Sequence, residues 1–172
     1  MNILRPVTRC GPEGDKKGTR ISQRPLRICV VFDEEASFRS AEILIRHLAS
    51  DQHCETQTFG FDELEAPVHG IAAARNAAGT EILVVAIRGN RIPAHMQFWL
   101  GLCLSLRDDD QEGALVALIS YATETRVRHG SLIEYLETVA AIGGLAFLPW
   151  WQSPHTWLRP IPHQLPQLRL TE

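Results

Sequence analysis

The sequence predicts an α/β fold, a three-layer sandwich in which helices cover both faces of one five-stranded parallel sheet. Short apolar runs rich in β-branched residues alternate with amphipathic segments five times along residues 26–150. The connections are mostly short, which requires parallel strands joined by right-handed crossovers. One strand-like segment is polar while the others are continuously apolar, and a polar strand belongs at an edge of such a sheet. The predicted strand order is therefore 2-1-3-4-5.

The bulk composition is that of one globular domain of 172 residues, of which 45% are hydrophobic and 22% charged. No apolar run approaches the roughly 20 residues that span a bilayer, and the first residues lack the apolar stretch of a secretory signal. We therefore expect a cytoplasmic protein that does not enter a membrane. The four cysteines lack the spacing of a metal site, and Cys29 and Cys103 lie in apolar runs that predict core positions.

Charge is distributed unevenly along the chain. Residues 1–25 carry six basic and two acidic groups among several prolines and glycines, which predicts a flexible basic arm. Residues 26–152 carry nine arginines against seventeen acids. Such an acidic body argues against nucleic-acid binding, because neutralising phosphates requires basic groups. Both lysines of the chain, Lys16 and Lys17, lie in the arm, which excludes mechanisms that need a lysine in the body.

The first three elements are a strand, a helix and an edge strand. Residues 27–32 (RICVVF) form an apolar run typical of a central strand. Along residues 38–50, apolar side chains recur every three or four positions, which predicts an amphipathic helix with Ser37 as its N-cap. Residues 55–59 (ETQTF) are mostly polar and predict the edge strand.

The second helix is predicted from the residues that bound it. Pro67 suits the first turn of a helix, and Gly79 suits the position just after a last turn. Val68, Ile71, Ala72 and Ala74 form the small apolar side of this helix and are expected to face the core.

The third strand and the third helix are the most apolar part of the chain. Residues 82–87 predict a strand buried on both faces, and residues 88–91 (RGNR) form the loop at its carboxyl end. Pro93 opens the next helix, which is apolar on nearly every side between Met96 and Leu106. A helix of this kind is buried on more than one face. We therefore expect the C-terminal extension, a protein partner or a second copy of the chain to cover it.

The last elements are two strands, the helix between them and an extension. Residues 114–119 and 145–148 predict the fourth and fifth strands. A capping box that starts at Ser131 predicts the helix between them, and Gly143-Gly144 predicts its end. From Pro149 onward the chain holds five prolines and three of its four tryptophans. This composition predicts an extension over residues 151–172 that packs on the domain or on a partner.

The arrangement over residues 26–150 resembles the flavodoxin-like fold in its pattern of elements. In a sheet of this kind, ligands bind at the carboxyl ends of the strands where the strand order reverses, here between strands one and three. The loops at that edge carry the candidate ligand-crevice residues: Asp33, Glu34, Glu35, Ser37, Arg88, Gly89, Asn90, Arg91, Ser120, Tyr121 and Trp150.

The resemblance to flavodoxins and flavin reductases implies FMN binding, with the phosphate held in the loop after the first strand. In this chain residues 33–35 of that loop are all acidic, and their carboxylates repel a phosphate dianion. Arg88 or Arg91 would offset part of the repulsion, and Tyr121 or Trp150 would offer an aromatic surface to the isoalloxazine ring.

The segment VVFDEEASFRSAEILIRHL also resembles the first strand, acidic pair and first helix of a response-regulator receiver domain. Asp33 and Glu34 match the acidic pair that holds Mg²⁺ in that family, and Ser120 matches the Ser or Thr that ends its fourth strand. Arg88 stands in place of the phosphoacceptor Asp, and Pro149-Trp150 stands in place of the Lys. The resemblance therefore implies a degenerate domain without phosphotransfer, in which Arg88 pairs with Asp33 or Glu34.

Three functions remain open from the sequence. The first is a non-catalytic binding or regulatory module without a bound cofactor or metal, acting through the crevice, the apolar helix and the C-terminal extension. The second is an FMN- or nucleotide-binding redox protein of the flavodoxin or flavin reductase type. The third is hydrolysis by a metal held on the three acids of residues 33–35. The sequence favours the first.

Overall fold

The computed structural model of the protein describes residues 24–48, 53–108, 110–120, 130–153 and 156–160. The rest of the predicted basic arm and of the C-terminal extension lies outside the described residues. The strands are β1 Leu26–Phe32, β2 Cys54–Gly60, β3 Ile82–Ile87, β4 Ala114–Ser120, β5 Ala146–Ser153 and β6 Thr156–Pro160. The helices are α1 Glu35–Leu48, α2 Phe61–Glu65, α3 Pro67–Ala78, α4 Ala94–Ser105 and α5 Gly130–Ile142. Among these helices, none is both long and apolar enough to cross a membrane.

The sheet has the strand order β2-β1-β3-β4-β5-β6 within the described part of the chain. β1 to β5 pair in parallel, which confirms the predicted order 2-1-3-4-5. The mostly polar strand β2 lies at one edge, as its composition predicts. β6 has no counterpart in the predicted order. It pairs antiparallel with β5 and forms the other edge of the sheet.

The fifth strand is longer than its sequence indicates. The prediction ends the strand at Leu148, but β5 continues to Ser153. The N–H of Ala146 donates to the carbonyl of Gly113, so residues an even number of positions from Ala146 direct their N–H groups toward β4. Pro149 faces the opposite side, where pairing with β6 starts only at Trp150. A proline is tolerated there because the ladder needs no donor from it.

Helices cover both faces of the sheet, as the three-layer prediction requires. On one face α1 packs through Ala41 and Leu44 against side chains that include Leu118 of β4. On the other face α3, α4 and α5 pack against the alternate residues of the same strands. Cys29 and Cys103 are buried on this second face, as predicted. Burial raises the pKa of both thiols, that of Cys103 to about 11, so both are protonated core side chains.

The predicted inner side of α3 is wrong for Val68, Ile71 and Ala72, which are exposed, and right for Ala74, which is buried. Val68 and Ile71 are 79% and 45% exposed, whereas glycine and alanine face the core. The reason is the close packing of α3 against α2, a short helix that the sequence did not indicate. A Cβ atom on Gly70 would lie 2.8 Å from the carbonyl oxygen of Leu64. Only small side chains fit at that distance, so the larger apolar residues of α3 point outward.

Two predicted helix starts are wrong and two predicted helix ends are confirmed. α1 and α5 both begin before the predicted caps, so Ser37 and Ser131 lie inside the first turns. Only two residues separate β1 from α1, which leaves no loop long enough for a cap at Ser37. Gly79 is the C-cap of α3. Gly144 follows α5 with φ 63°, in the left-handed region that favours glycine.

Candidate functional site

The loops that leave β1 and β3 meet at the carboxyl end of the sheet, where the strand order reverses. Phe32, the last residue of β1, lies beside Ala86 of β3. The N–H of Asp33 donates to the carbonyl of Ala86 at 3.2 Å, and its carboxylate Oδ2 accepts the backbone N–H of Arg88 at 2.8 Å. Asp33 therefore joins the two loops through both its backbone and its side chain.

The three acids that follow β1 have separate partners. The guanidinium of Arg88 donates to Glu34 at 2.9 Å, which is one of the two pairings expected from the sequence. Glu35 instead lies 3.6 Å from Arg39, one turn further along α1. In the described part of the chain, no group of three or more His, Cys, Asp or Glu side chains could hold a metal ion. The acids after β1 therefore do not assemble there into the carboxylate site that metal-assisted hydrolysis requires.

Other predicted crevice residues lie along the same edge of the sheet. Gly89 is half-buried, and Asn90 and Arg91 are exposed in the loop between β3 and α4. Ser120 is the last residue of β4 and is half-buried. Tyr121 lies outside the described residues. The loop after β3 thus presents its polar groups to solvent, beside the Asp33 connection.

Ser37 and Trp150 lie deeper than the sequence predicts. Ser37 is fully buried, and its hydroxyl and the Oδ1 atom of Asp33 are buried without a hydrogen-bond partner among the described residues. Trp150 pairs with Leu118, two residues before the end of β4, and packs on the core that α1 covers. Ser37 is therefore inaccessible to a ligand at this edge, and Trp150 lies below the edge.

The two interactions that close the crevice are expected to differ in strength. Replacing Asp33 by alanine removes the charge-assisted acceptor that joins β1 to β3, and is expected to lower the free energy of unfolding by about 1–2 kcal/mol. Arg88→Ala removes an ion pair whose side chains are 45% and 44% exposed, and keeps the backbone N–H that Asp33 binds. Its expected cost is about 0.2–1 kcal/mol. Urea denaturation measures both, and an equal or larger loss in the arginine variant would contradict this ranking.

A concave surface, the outer groove, lies between α3 and α4 on the outer side of the helical layer. Its volume is about 220 Å³. Most of its lining is apolar and comes from Leu64, Gly70, Ile71, Phe98, Trp99 and Leu102. Glu65 and His95 add polar groups, and the ring nitrogen Nε2 of His95 lies 3.2 Å from the carbonyl oxygen of Phe61. This hydrogen bond ties the start of α4 to α2.

The contact between α3 and α4 forms the floor of the outer groove. Trp99 is 2% exposed, and its indole N–H donates to the carbonyl of Gly70 at 3.0 Å. The sequence prediction missed the groove because it turned Ile71 inward. A usable signal was present, since Gly70, Ala73 and Ala77 form a stripe of small residues that marks the packing side of α3.

Comparison with solved structures identifies the fold. The Trp repressor binding protein of Bacillus subtilis is similar in structure, with a TM-score of 0.50 and 11% sequence identity over 73% of this chain and 85% of the Bacillus chain. The fold is flavodoxin-like. A flavodiiron core from Synechocystis aligns with a TM-score of 0.46 and 17% identity over 71% of this chain and 28% of that chain. No family model matches this chain, and no curated protein does.

Identity this low establishes the flavodoxin-like fold alone, so the function has to be argued from the residues of this chain. Two sites in its described part carry that argument. One is the crevice between β1 and β3, which is polar and bridged by Asp33 and Arg88. The other is the outer groove, which is largely apolar and open to solvent beside Phe98.

Proposed function

We propose that this flavodoxin-like domain is a non-catalytic binding module whose crevice at the sheet edge is closed by its own side chains. The observation that supports this most directly is the bridge across the switch point. Asp33 accepts the backbone N–H of Arg88 at 2.8 Å, and the Arg88 guanidinium donates to Glu34 at 2.9 Å. The carboxylates of Asp33 and Glu34 and the donors of Arg88, which a ligand at this edge would need, are thus bonded to each other.

The residues at this edge do not fit an FMN phosphate. Asp33 and Glu34 directly precede α1 and Glu35 begins it, at the place where a phosphate would otherwise meet backbone N–H groups. Two like unit charges 4 Å apart repel by about 4 kcal/mol at an effective dielectric constant of 20. Arg88 already neutralises Glu34 and so has less charge to offer a phosphate. Trp150 packs on the core below the edge, away from the place of a stacking ring.

The position of Arg88 also supports a regulatory domain that has lost phosphotransfer, as the receiver-domain resemblance implies. Arg88 is the first residue after β3, where that family carries its phosphoacceptor, and its guanidinium reaches the acidic pair after β1. A guanidinium at this position substitutes for a bound cation, because it supplies positive charge and donors to the same carboxylates.

The visible absorption spectrum of freshly purified protein, followed by FMN titration, tests the proposed function. We expect a colourless protein that causes no saturable quenching of FMN fluorescence. The double variant Glu34→Gln with Glu35→Gln serves as the comparison, because it removes two carboxylates and keeps their size. If charge excludes the phosphate, that variant binds FMN more tightly than the wild type. A flavin spectrum at near-stoichiometric occupancy in the wild type would overturn the proposal and make the crevice a redox site.

A further inference from the structure

The outer groove is surrounded by exposed apolar side chains. Phe98 on α4 is 76% exposed, and Val68 and Ile71 on α3 are 79% and 45% exposed. Single exposed apolar residues are normal on protein surfaces. Here they lie on two neighbouring helices, and Ile71 and Phe98 line the same groove. Ile71 and Phe98 therefore belong to one apolar surface of the kind that marks a protein interface, and Val68 lies one turn before Ile71 on α3.

The outer side of α4 has the shape of a helix-packing surface. Ala94, Phe98, Gly101 and Ser105 are all exposed, at spacings of four, three and four residues that place them on one stripe of the helix. A Cβ atom on Gly101 would meet no atom within 4 Å. Phe98 is therefore one large projecting side chain among small ones, and a second helix can approach α4 closely on either side of it.

The same stripe carries no charged residue, and α4 contains neither an acid, an arginine nor a lysine. Two copies of this chain each carry a net charge of −3 and repel one another at long range. Contact between copies therefore costs least through a surface with little charge, and Glu65 is the only acidic or basic side chain besides His95 among the described residues that line the outer groove. α4 offers no acid, arginine or lysine for a partner to recognise, and Glu65 is the one acid that the groove adds, so the shape of this surface has to select the partner.

We propose that the outer groove binds a second copy of this chain, in a two-fold symmetric dimer in which Phe98 of each copy enters the groove of the other. The inference rests on the proposed binding function and names its partner. A two-fold axis brings the same patch of both copies together. The projecting side chain and the groove that binds it therefore have to lie side by side on the surface of each copy. Phe98 and the outer groove meet this requirement.

The size of the outer groove suits this occupant. An apolar cavity of about 150 Å³ holds a benzene ring. The outer groove measures about 220 Å³ and is lined mainly by apolar side chains, so it has room for a phenyl group. Burying a whole aromatic side chain removes roughly 150–250 Å² from water, so Phe98, at 76% exposure, supplies roughly 110–190 Å².

That area sets the expected strength of the dimer. A standard interface buries about 800 Å² on each partner, of which Phe98 supplies about a fifth. The remainder has to come from the surrounding surfaces of α3 and α4. We therefore expect a monomer–dimer equilibrium that depends on protein concentration, with Phe98 as its central residue.

Sedimentation equilibrium of the full chain over a range of concentrations tests the proposal. The wild type is expected to dimerise, and Phe98→Asp is expected to raise the dimer dissociation constant at least about 100-fold, because it places a charge in an apolar groove. Gly101→Arg is a second test, since it adds a charged side chain to the open stripe and removes no contact from the monomer. Ile142→Asp is the matched control, because Ile142 is 77% exposed on α5 outside the groove, and this variant should dimerise like the wild type.

Two results would overturn the dimer. One is a wild type that stays monomeric at every accessible concentration, and the other is a dimer that survives both Phe98→Asp and Gly101→Arg. Thermal unfolding of dilute samples shows whether each variant is folded. The FMN titration reports separately on the crevice, so a chain that dimerises through Phe98 and binds flavin would overturn the proposed function and support the dimer.

Discussion

Replacing Trp99 by alanine is expected to lower the free energy of unfolding by about 3–5 kcal/mol, the range for a buried aromatic residue. The side chain is 2% exposed and belongs to the core between the sheet and α3, α4 and α5. Its removal leaves a cavity and deprives the carbonyl of Gly70 of the indole N–H that it accepts at 3.0 Å. Because Trp99 holds α3 against α4, its loss also removes the floor of the outer groove.

Two further substitutions, one at Trp99 and one at Phe98, separate the contribution of apolar packing from that of the hydrogen bond to Gly70. Trp99→Phe keeps most of the apolar contact and loses the hydrogen bond, so its expected cost is about 1–3 kcal/mol. Phe98→Ala lies one residue away at a 76% exposed position. In dilute monomer it is expected to change stability by no more than about 0.5 kcal/mol. Guanidinium denaturation measures all three variants, and a Trp99→Ala loss as small as that of Phe98→Ala would contradict the packing between α3 and α4.

A chain that ends at Leu148 is expected to lose at least about 3 kcal/mol of stability or fail to fold, since ladder hydrogen bonds contribute about 1 kcal/mol each and apolar contacts are lost as well. The truncation removes the last five residues of β5, of which residues 149–152 pair with β4 from Ala117 to Ser120. It also removes Trp150 from the core that α1 covers. The loss therefore falls on the interior of the sheet.

A chain that ends at Ser153 is the control for this truncation. It keeps all of β5 and loses β6, which pairs with β5 at three positions and includes an irregular register. We expect this chain to keep a cooperative unfolding transition, and thermal melts followed by circular dichroism compare the two. If both chains melt alike, the last five residues of β5 contribute nothing to the stability of the sheet. The strand that the sequence predicts, which ends at Leu148, would then be enough for a stable fold.

The order of helices and strands could be predicted because burial repeats with a period set by each element's own geometry. The continuous apolar run of Ile82–Ile87 lies between β1 and β4, buried on both faces. The mostly polar β2 lies at an edge, and Cys29 and Cys103 lie in the core. Each of these predictions concerns a single segment and asks only which of its residues are buried. A pattern read along that segment carries this information.

The crevice could be predicted only in part. Asp33 and Arg88 follow adjacent parallel strands, so their meeting at one edge follows from the strand order. The strand order does not determine which atoms pair. The path of the loop after β3 decides that Asp33 accepts the backbone N–H of Arg88 and that Glu34 accepts its guanidinium. The exposure of that ion pair, which sets its energy, depends on the same path.

The sequence by itself determined the flavodoxin-like order of elements, whereas the tertiary structure decided which surface is left for a partner. Phe98 and Trp99 are neighbouring aromatic residues in a helix that is apolar on almost every side, yet one is 76% exposed and the other 2%. In α3 the close approach of Leu64 to Gly70 selects small residues for the inner side and turns Ile71 outward. Exposure at these positions depends on neighbours far away in the chain, and a pattern read along one helix does not contain them.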